Sequence, residues 1–165
     1  MRTSRKIKNK IKSLSAIKSA VLKLKNKNKK IVFTNGCFDI LHYGHAKYLE
    51  DAKKKGDILI VAINSDSSVR RIKGKKRPLI PEKYRLNLVA ALECVDFVTL
   101  FKDNTPLKTI TAIKPDILVK GSDWGKNNIV GGEFVKGYGG KVLRINLVKG
   151  LSTSNIIKKI VKTYQ

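Results

Sequence analysis

A chain of 165 residues, 42% of them hydrophobic, is long enough for one domain with its own core and too apolar for a disordered segment. Lys and Arg number 36 against 12 Asp and Glu, a net charge of +24; residues 1–30 hold 12 of the basic residues and no acidic one, which leaves +12 over residues 31–165. The two cysteines, Cys37 and Cys94, lie in apolar segments and argue against a disulfide framework, and no apolar run approaches the ~20 residues that span a bilayer. The basic N-terminus has no apolar signal core, so a cytoplasmic location is expected.

In chain order, residues 1–10 read as a flexible, solvated basic tail. From Ile11 through Leu14, Ile17, Val21 and Leu22 the apolar spacing predicts a helix within residues 11–30. Residues 31–165 then read as the main domain. Ile31–Phe33 is a short buried strand closed by Asn35-Gly36, and Ala46, Leu49 and Ala52 carry helical spacing up to Gly56. Ile58–Ile63 is the apolar run of a parallel strand covered on both faces. The basic segment VRRIKGKKRP precedes a helix over about Glu82–Leu92. Phe97–Phe101, Ile117–Val119 and Val142–Ile145 read as strands, with a helix after Pro106 and a last helix beginning near Ser152. Alternating strands and helices predict an α/β fold, a Rossmann-like doubly wound parallel sheet of about five strands. The glycine-rich stretch 121–134 then falls on the carboxyl edge of the sheet, where open α/β folds bind ligands.

The only two histidines, His42 and His45, stand three apart where the first strand passes into a helix. A helix N-terminus offers unpaired N–H groups and partial positive charge to a phosphate, and two imidazoles beside it can donate further hydrogen bonds. Gly44 between them permits close approach of backbone or ligand. No group of Cys, His and Asp has zinc spacing, and the 7% aromatic content argues against a base-stacking RNA platform.

The block TNGCFDILHYGHAKYLEDAKKKGD resembles the signature of the nucleotidyltransferase superfamily that includes the cytidylyltransferases. The blocks SVRRIKGKKRP, PEKYR, DILVKGSDW, GGEFV and GLSTSNIIKKI are similar to one branch, the adenylyltransferases of ADP-heptose synthesis, over about residues 31–160. H-x-G-H alone also occurs in class I aminoacyl-tRNA synthetases; the ordered set of blocks is far more specific.

The resemblance implies transfer of AMP from ATP, with Mg²⁺, to a heptose 1-phosphate. His42, His45, Lys73 and Arg85 would be catalytic. The nucleotide would be held by Thr34, Asn35, Gly36, Phe38, Asp39, Gly44, Lys75, Lys76, Arg77, Asp123, Trp124, Ser152, Thr153 and Ser154, with the basic residues of 73–77 on a lid. Implied partners are the nucleoside triphosphate and a sugar phosphate, in a homo-oligomer, a dimer first, with no membrane and with nucleic acid only nonspecifically through the tail. Structural readings stand beside these: Arg85 pairing with Glu82 on a helix surface, Ser152–Ser154 as a simple N-cap, Trp124 in the core, Asp123 bonding its own loop, and Asp39 and Cys37 in structural roles. Two positions depart from the superfamily pattern. Ile157 stands where a basic residue is usual, predicting that Ile157 points into the core, and Leu147 replaces the arginine of glycerol-phosphate cytidylyltransferases. The alternatives are a cytidylyltransferase for glycerol 3-phosphate or a phosphorylated amino alcohol, and a basic RNA-binding protein.

Overall fold

The computed structural model describes residues 5–123, 125 and 129–164. Five strands, β1 (Ile31–Gly36), β2 (Ile58–Asn64), β3 (Phe97–Phe101), β4 (Ile117–Gly121) and β5 (Lys141–Ile145), pair in parallel in the order β3-β2-β1-β4-β5. The chain starts at the centre of the sheet, winds out to β3 and returns to the far side of β1. The direction of winding therefore reverses between β1 and β4, the place where a parallel sheet opens a crevice above its carboxyl ends.

Each strand is apolar on both faces because both are covered. Val32, Leu59, Val61, Ile63 and Val119 pack with Leu49 and Ala52 of α3 (Tyr43–Lys53) and Val89 of α5 (Glu82–Ala91). On the opposite face Ile31, Phe33, Ile60 and Leu118 pack with Ile17 and Val21 of α2 (Leu14–Lys25), Ile110 of α6 (Leu107–Ile113) and Val135 of α7 (Gly132–Gly137). Period-two alternation between two apolar environments produces the near-continuous hydrophobic runs of the sequence. At the amino edge three aspartates repeat one device. Asp57 accepts from Lys30 N (2.8 Å), Asp96 from Leu59 N (2.7 Å) and Asp116 from Ile31 N (2.8 Å), so the residue before each of β2, β3 and β4 satisfies a backbone donor at the start of the adjacent chain.

Several expectations are corrected. Arg5–Lys10, expected within a flexible tail, forms α1: Ile7 packs on the core, Lys10 Nζ donates to Leu92 O at 2.9 Å, and Lys12 N donates to Val98 O at 2.9 Å on the β3 edge. Ile7 and Ile11, four apart, give this short segment an apolar contact that its lysines obscure. Half of the expected basic loop is helical, since α4 spans Asp66–Lys73 with Ser65 Oγ accepting from Ser68 N at 3.2 Å. The glycine-rich stretch turns helical at Gly132, after Gly131 at φ 81°, where an added Cβ would meet Ile110 at 2.7 Å. The last helix, α8 (Thr153–Tyr164), has no buried residue, and Ile157 is half-buried, outside both core clusters.

Candidate active site

A cavity of about 420 Å³ opens above the carboxyl ends of β1 and β4, within the size range of small-molecule sites. Its first wall is the turn after β1. His42 is the N-cap of α3, with extended backbone and no side-chain cap bond, so its imidazole is left to face the cavity. The ring lies against Gly44, where an added Cβ would sit 3.0 Å from His42 Cε1; glycine at this position makes room for the histidine. His45, one turn on, stacks on His42 with centroids 3.9 Å apart and planes at 26°, and Phe38 tilts against it at 5.2 Å.

Burial lowers the pKa of His42 below its ordinary value. Burial, then the neighbouring His42 and Lys73, push His45 down to about 4, against an opposing contribution from the Ile40 backbone. Both rings are therefore neutral at pH 7. Among the described residues three buried side-chain nitrogens lack a hydrogen-bond partner, His42 Nδ1, His45 Nδ1 and Arg77 Nη2, and all three residues line this one cavity. Buried polar atoms without partners are rare in native proteins, and three of them in residues around one cavity point to a polar site.

Behind this wall the loops are bracketed by two buried charges. Asp39, 1% exposed, accepts from Leu79 N and Ile80 N at 2.8 Å each and from Arg77 Nε. Burial alone would raise its pKa; the Ile80 and Leu79 amides and the Arg77 guanidinium outweigh burial and hold it below the ordinary carboxylate range. Arg85, fully buried, donates to Ile80 O (2.8 Å), Cys37 O (2.6 Å) and Asp66 Oδ1 (2.7 Å). It is not among the residues that line the cavity, and its three acceptors are all protein groups. Nor does it pair with Glu82, whose carboxylate accepts from Asp66 N at 2.7 Å. Arg85 points inward from α5 and ties together three segments: the turn after β1, the loop before α5 and the start of α4.

Of the other expected residues, Asn35, Gly36, Phe38, Asp39, Gly44, Lys73, Arg77, Asp123, Ser152, Thr153 and Ser154 line the cavity. Thr34 does not: it is fully buried, and its hydroxyl meets Tyr48 OH at 2.7 Å on the α3 side of the sheet. Lys75 and Lys76 are exposed and lie outside the lining, because the chain turns outward after Gly74 (φ 91°) ends α4. Trp124 lies outside the described residues. Ser152 Oγ accepts from Asn155 N at 3.1 Å and so caps α8, while the N-terminal turn of that helix faces the cavity. Lys120 also lines the cavity and was not anticipated, nor were Asn64, Asn104 and Thr105. A single lysine in the apolar run ILVKG, at the carboxyl end of a strand, was the available signal for Lys120.

A parallel sheet with a histidine pair at a helix start, facing cationic loops across the switch-point crevice, is the arrangement of an α/β nucleotidyltransferase. Residues 33–159 match the family model described as Cytidylyltransferase-like, and the chain belongs to that family. It is 53% identical over 155 residues to "Bifunctional protein HldE" of Citrifermentans bemidjiense, an alignment covering 94% of this chain and 32% of that protein. It is 55% identical over 135 residues to the protein of the same name from Helicobacter pylori, covering 82% and 28%. The chain thus spans about a third of the length of these curated relatives. Among solved structures, the lipopolysaccharide core biosynthesis protein of Thermoplasma volcanium is 35% identical with a TM-score of 0.61, covering 73% of this chain and 98% of that one. The pantoate-beta-alanine ligase of Francisella tularensis, at 17% identity and TM-score 0.61 over 92% of this chain and 78% of that one, shares the fold.

Proposed function

We propose that the protein transfers AMP from ATP to D-glycero-β-D-manno-heptose 1-phosphate, giving ADP-heptose and pyrophosphate. The observation that carries this reading is the gathering of His42, His45, Lys73 and Arg77 around one cavity, in a chain about half identical to proteins named bifunctional HldE. An oxygen of the sugar phosphate attacks the α-phosphorus, the bond from that phosphorus to the bridging oxygen of the β-phosphate breaks, and pyrophosphate leaves with the electron pair. No protein nucleophile is required, so catalysis rests on positioning and on stabilising charge at the phosphoryl oxygens.

The two substrates divide the cavity. Lys73 and Arg77 stand on the β2 side of β1 and suit the sugar phosphate, while Ser152–Ser154 and the α8 N-terminus stand on the β5 side and suit the triphosphate. His42 and His45 lie between them, neutral at pH 7 and able to donate hydrogen bonds to the group in transfer. The donor set fits Mg²⁺ arriving on the triphosphate better than a resident ion. Among the described residues no three His, Cys, Asp or Glu converge, and Asp39 is already taken by Arg77, Leu79 and Ile80. When bound, Mg²⁺ supplies charge neutralisation at the phosphates. The proposed assembly is a cytoplasmic homo-oligomer with a dimer as its smallest form; sedimentation of the purified chain tests it. Among the described residues no helix is long and apolar enough to cross a membrane.

The test of the reaction is pyrophosphate release across four nucleoside triphosphates and a panel of sugar and polyol phosphates. ATP with heptose 1-phosphate is the expected best pair. Faster turnover of CTP with glycerol 3-phosphate would replace this reading by the cytidylyltransferase alternative.

A further inference from the structure

Between β1 and β4 the sheet comes apart at its carboxyl end. The β1–β4 ladder pairs only Val32 with Ile117 and Phe33 with Leu118, whereas β1 stays paired with β2 from Ile31 to Gly36. Continuing the β1–β4 register sets Asn35 opposite Lys120, on the same face of the sheet. A side-chain bridge stands there in place of the ladder: Lys120 Nζ donates to Asn35 Oδ1, with the Asn35 carbonyl 3.5 Å away. Lys120 is 6% exposed and lines the cavity together with both histidines. Lysine is among the residues least often buried, so its place in this cavity wall is unusual. It is rooted in a strand and held by Asn35, so it is positioned before substrate arrives. It stands on the side of β1 that carries Ser152–Ser154, the half assigned to the nucleotide.

We propose that Lys120 is a substrate-contacting residue: held by Asn35 over the opening between β1 and β4, its ammonium binds the α-phosphoryl group beside the histidine pair. The inference rests on the nucleotidyl-transfer reading. A preorganised cation at this point stabilises the charge that builds on the phosphoryl oxygens without reorganising during the reaction.

The same burial gives the proposal a pH signature. Burial pushes the pKa of Lys120 down to about 8, against the raising influence of Asp123 and Cys37. Among the described residues, the other ionisable groups around it are Arg144, its register partner on β5, Asp39 behind the turn after β1, His42, His45 and Tyr48 of α3, and Lys73 and Arg77 at the cavity rim. The free enzyme therefore loses this charge as pH rises through about 8, whereas phosphate groups are fully ionised by then, their second pKa being about 6. A bound anion raises the lysine pKa, so the alkaline limb of kcat lies above that of kcat/KM.

The experiment measures kcat and kcat/KM for ATP between pH 6 and 10 for the wild type, Lys120→Met and Lys120→Arg. The wild type is expected to lose kcat/KM along a single-proton limb centred near pH 8. Lys120→Met is expected to lose on the order of 10²-fold in kcat/KM at pH 7 and to lack the limb. Lys120→Arg is expected to stay within about tenfold and to move the limb beyond the range, because guanidinium keeps its proton. A wild-type profile flat to pH 9.5, a limb that persists in Lys120→Arg, or Lys120→Met within about threefold of wild type overturns the proposal while leaving the transfer reaction standing. A wild type that releases pyrophosphate from no substrate pair overturns the reading itself. Should the variants fail to fold, equilibrium binding of ATP by the wild type decides. An affinity about tenfold weaker at pH 9.5 than at pH 7 supports the proposal, and equal affinities overturn it.

Discussion

His42 and His45 stack at 3.9 Å without repelling each other because both are uncharged at pH 7; burial, reinforced for His45 by His42 and Lys73, holds both below their ordinary pKa. A triphosphate reverses that balance by placing negative charge beside the rings. The predicted consequence is proton uptake on binding: NMR titration of the imidazoles should find the His45 midpoint at about 4 without ATP and higher with it. An unmoved midpoint would place the phosphates elsewhere. Replacing either histidine by alanine should lower kcat by roughly 10²-fold, about 2.7 kcal/mol of barrier, with the fold intact. Arg85 should behave in the opposite way. Arg85→Ala leaves Cys37 O, Ile80 O and Asp66 without their donor, and is expected to cost about 3 kcal/mol in chemical denaturation. If Arg85→Ala kept full stability and lost only turnover, the guanidinium would have to reach substrate after all.

The strands are held in register at the amino edge by Asp57, Asp96 and Asp116, each closing a backbone donor across to the neighbouring chain. Asp116→Ala should destabilise by about 1–3 kcal/mol in urea melts while leaving the KM for ATP within twofold, because β1 and β4 carry the cavity at their other ends. A changed KM with unchanged stability would contradict this division between the two edges. The elements themselves were largely legible. β2 and β3 are apolar on both faces and bounded by polar residues, and the hydroxyl run at Ser152–Ser154 marks the start of α8. What could not be read was direction across the fold. Arg85 sits among ordinary helix residues, and nothing in PEKYR says that its side chain runs inward to three backbone segments. Thr34 and Asn35 are adjacent in the same motif, yet strand alternation sends one into the core and the other into the cavity. Ile157 was expected inside because an apolar residue replaced a basic one. On a helix with no buried residue that inference had no support.

Across the whole molecule the net charge is +24, and the aspartates of the amino edge are each paired with a lysine, Asp57 with Lys29, Asp96 with Lys53 and Asp116 with Lys25. Asp57, Asp96 and Asp116 occupy the amino edge, and Lys73, Arg77 and Lys120 line the cavity at the carboxyl edge. The net positive charge attracts anions, an attraction that is screened by salt. N-terminal residues 5–12 stand apart from the cavity, docked on α5 and the edge strand β3. Deleting residues 1–10 is therefore expected to lower stability by about 1–2 kcal/mol through the lost packing of Ile7, with kcat unchanged. A loss of turnover in a folded deletion variant would place that segment in the site. The central claim is that the crevice over β1 and β4 joins the intact sugar phosphate to the α-phosphorus of ATP. Its most direct test is mass spectrometry of the products formed from ATP and heptose 1-phosphate carrying ¹⁸O in its phosphate. The account predicts that all of the label remains in ADP-heptose and none appears in pyrophosphate; label in pyrophosphate, or no ADP-heptose at all, would contradict it.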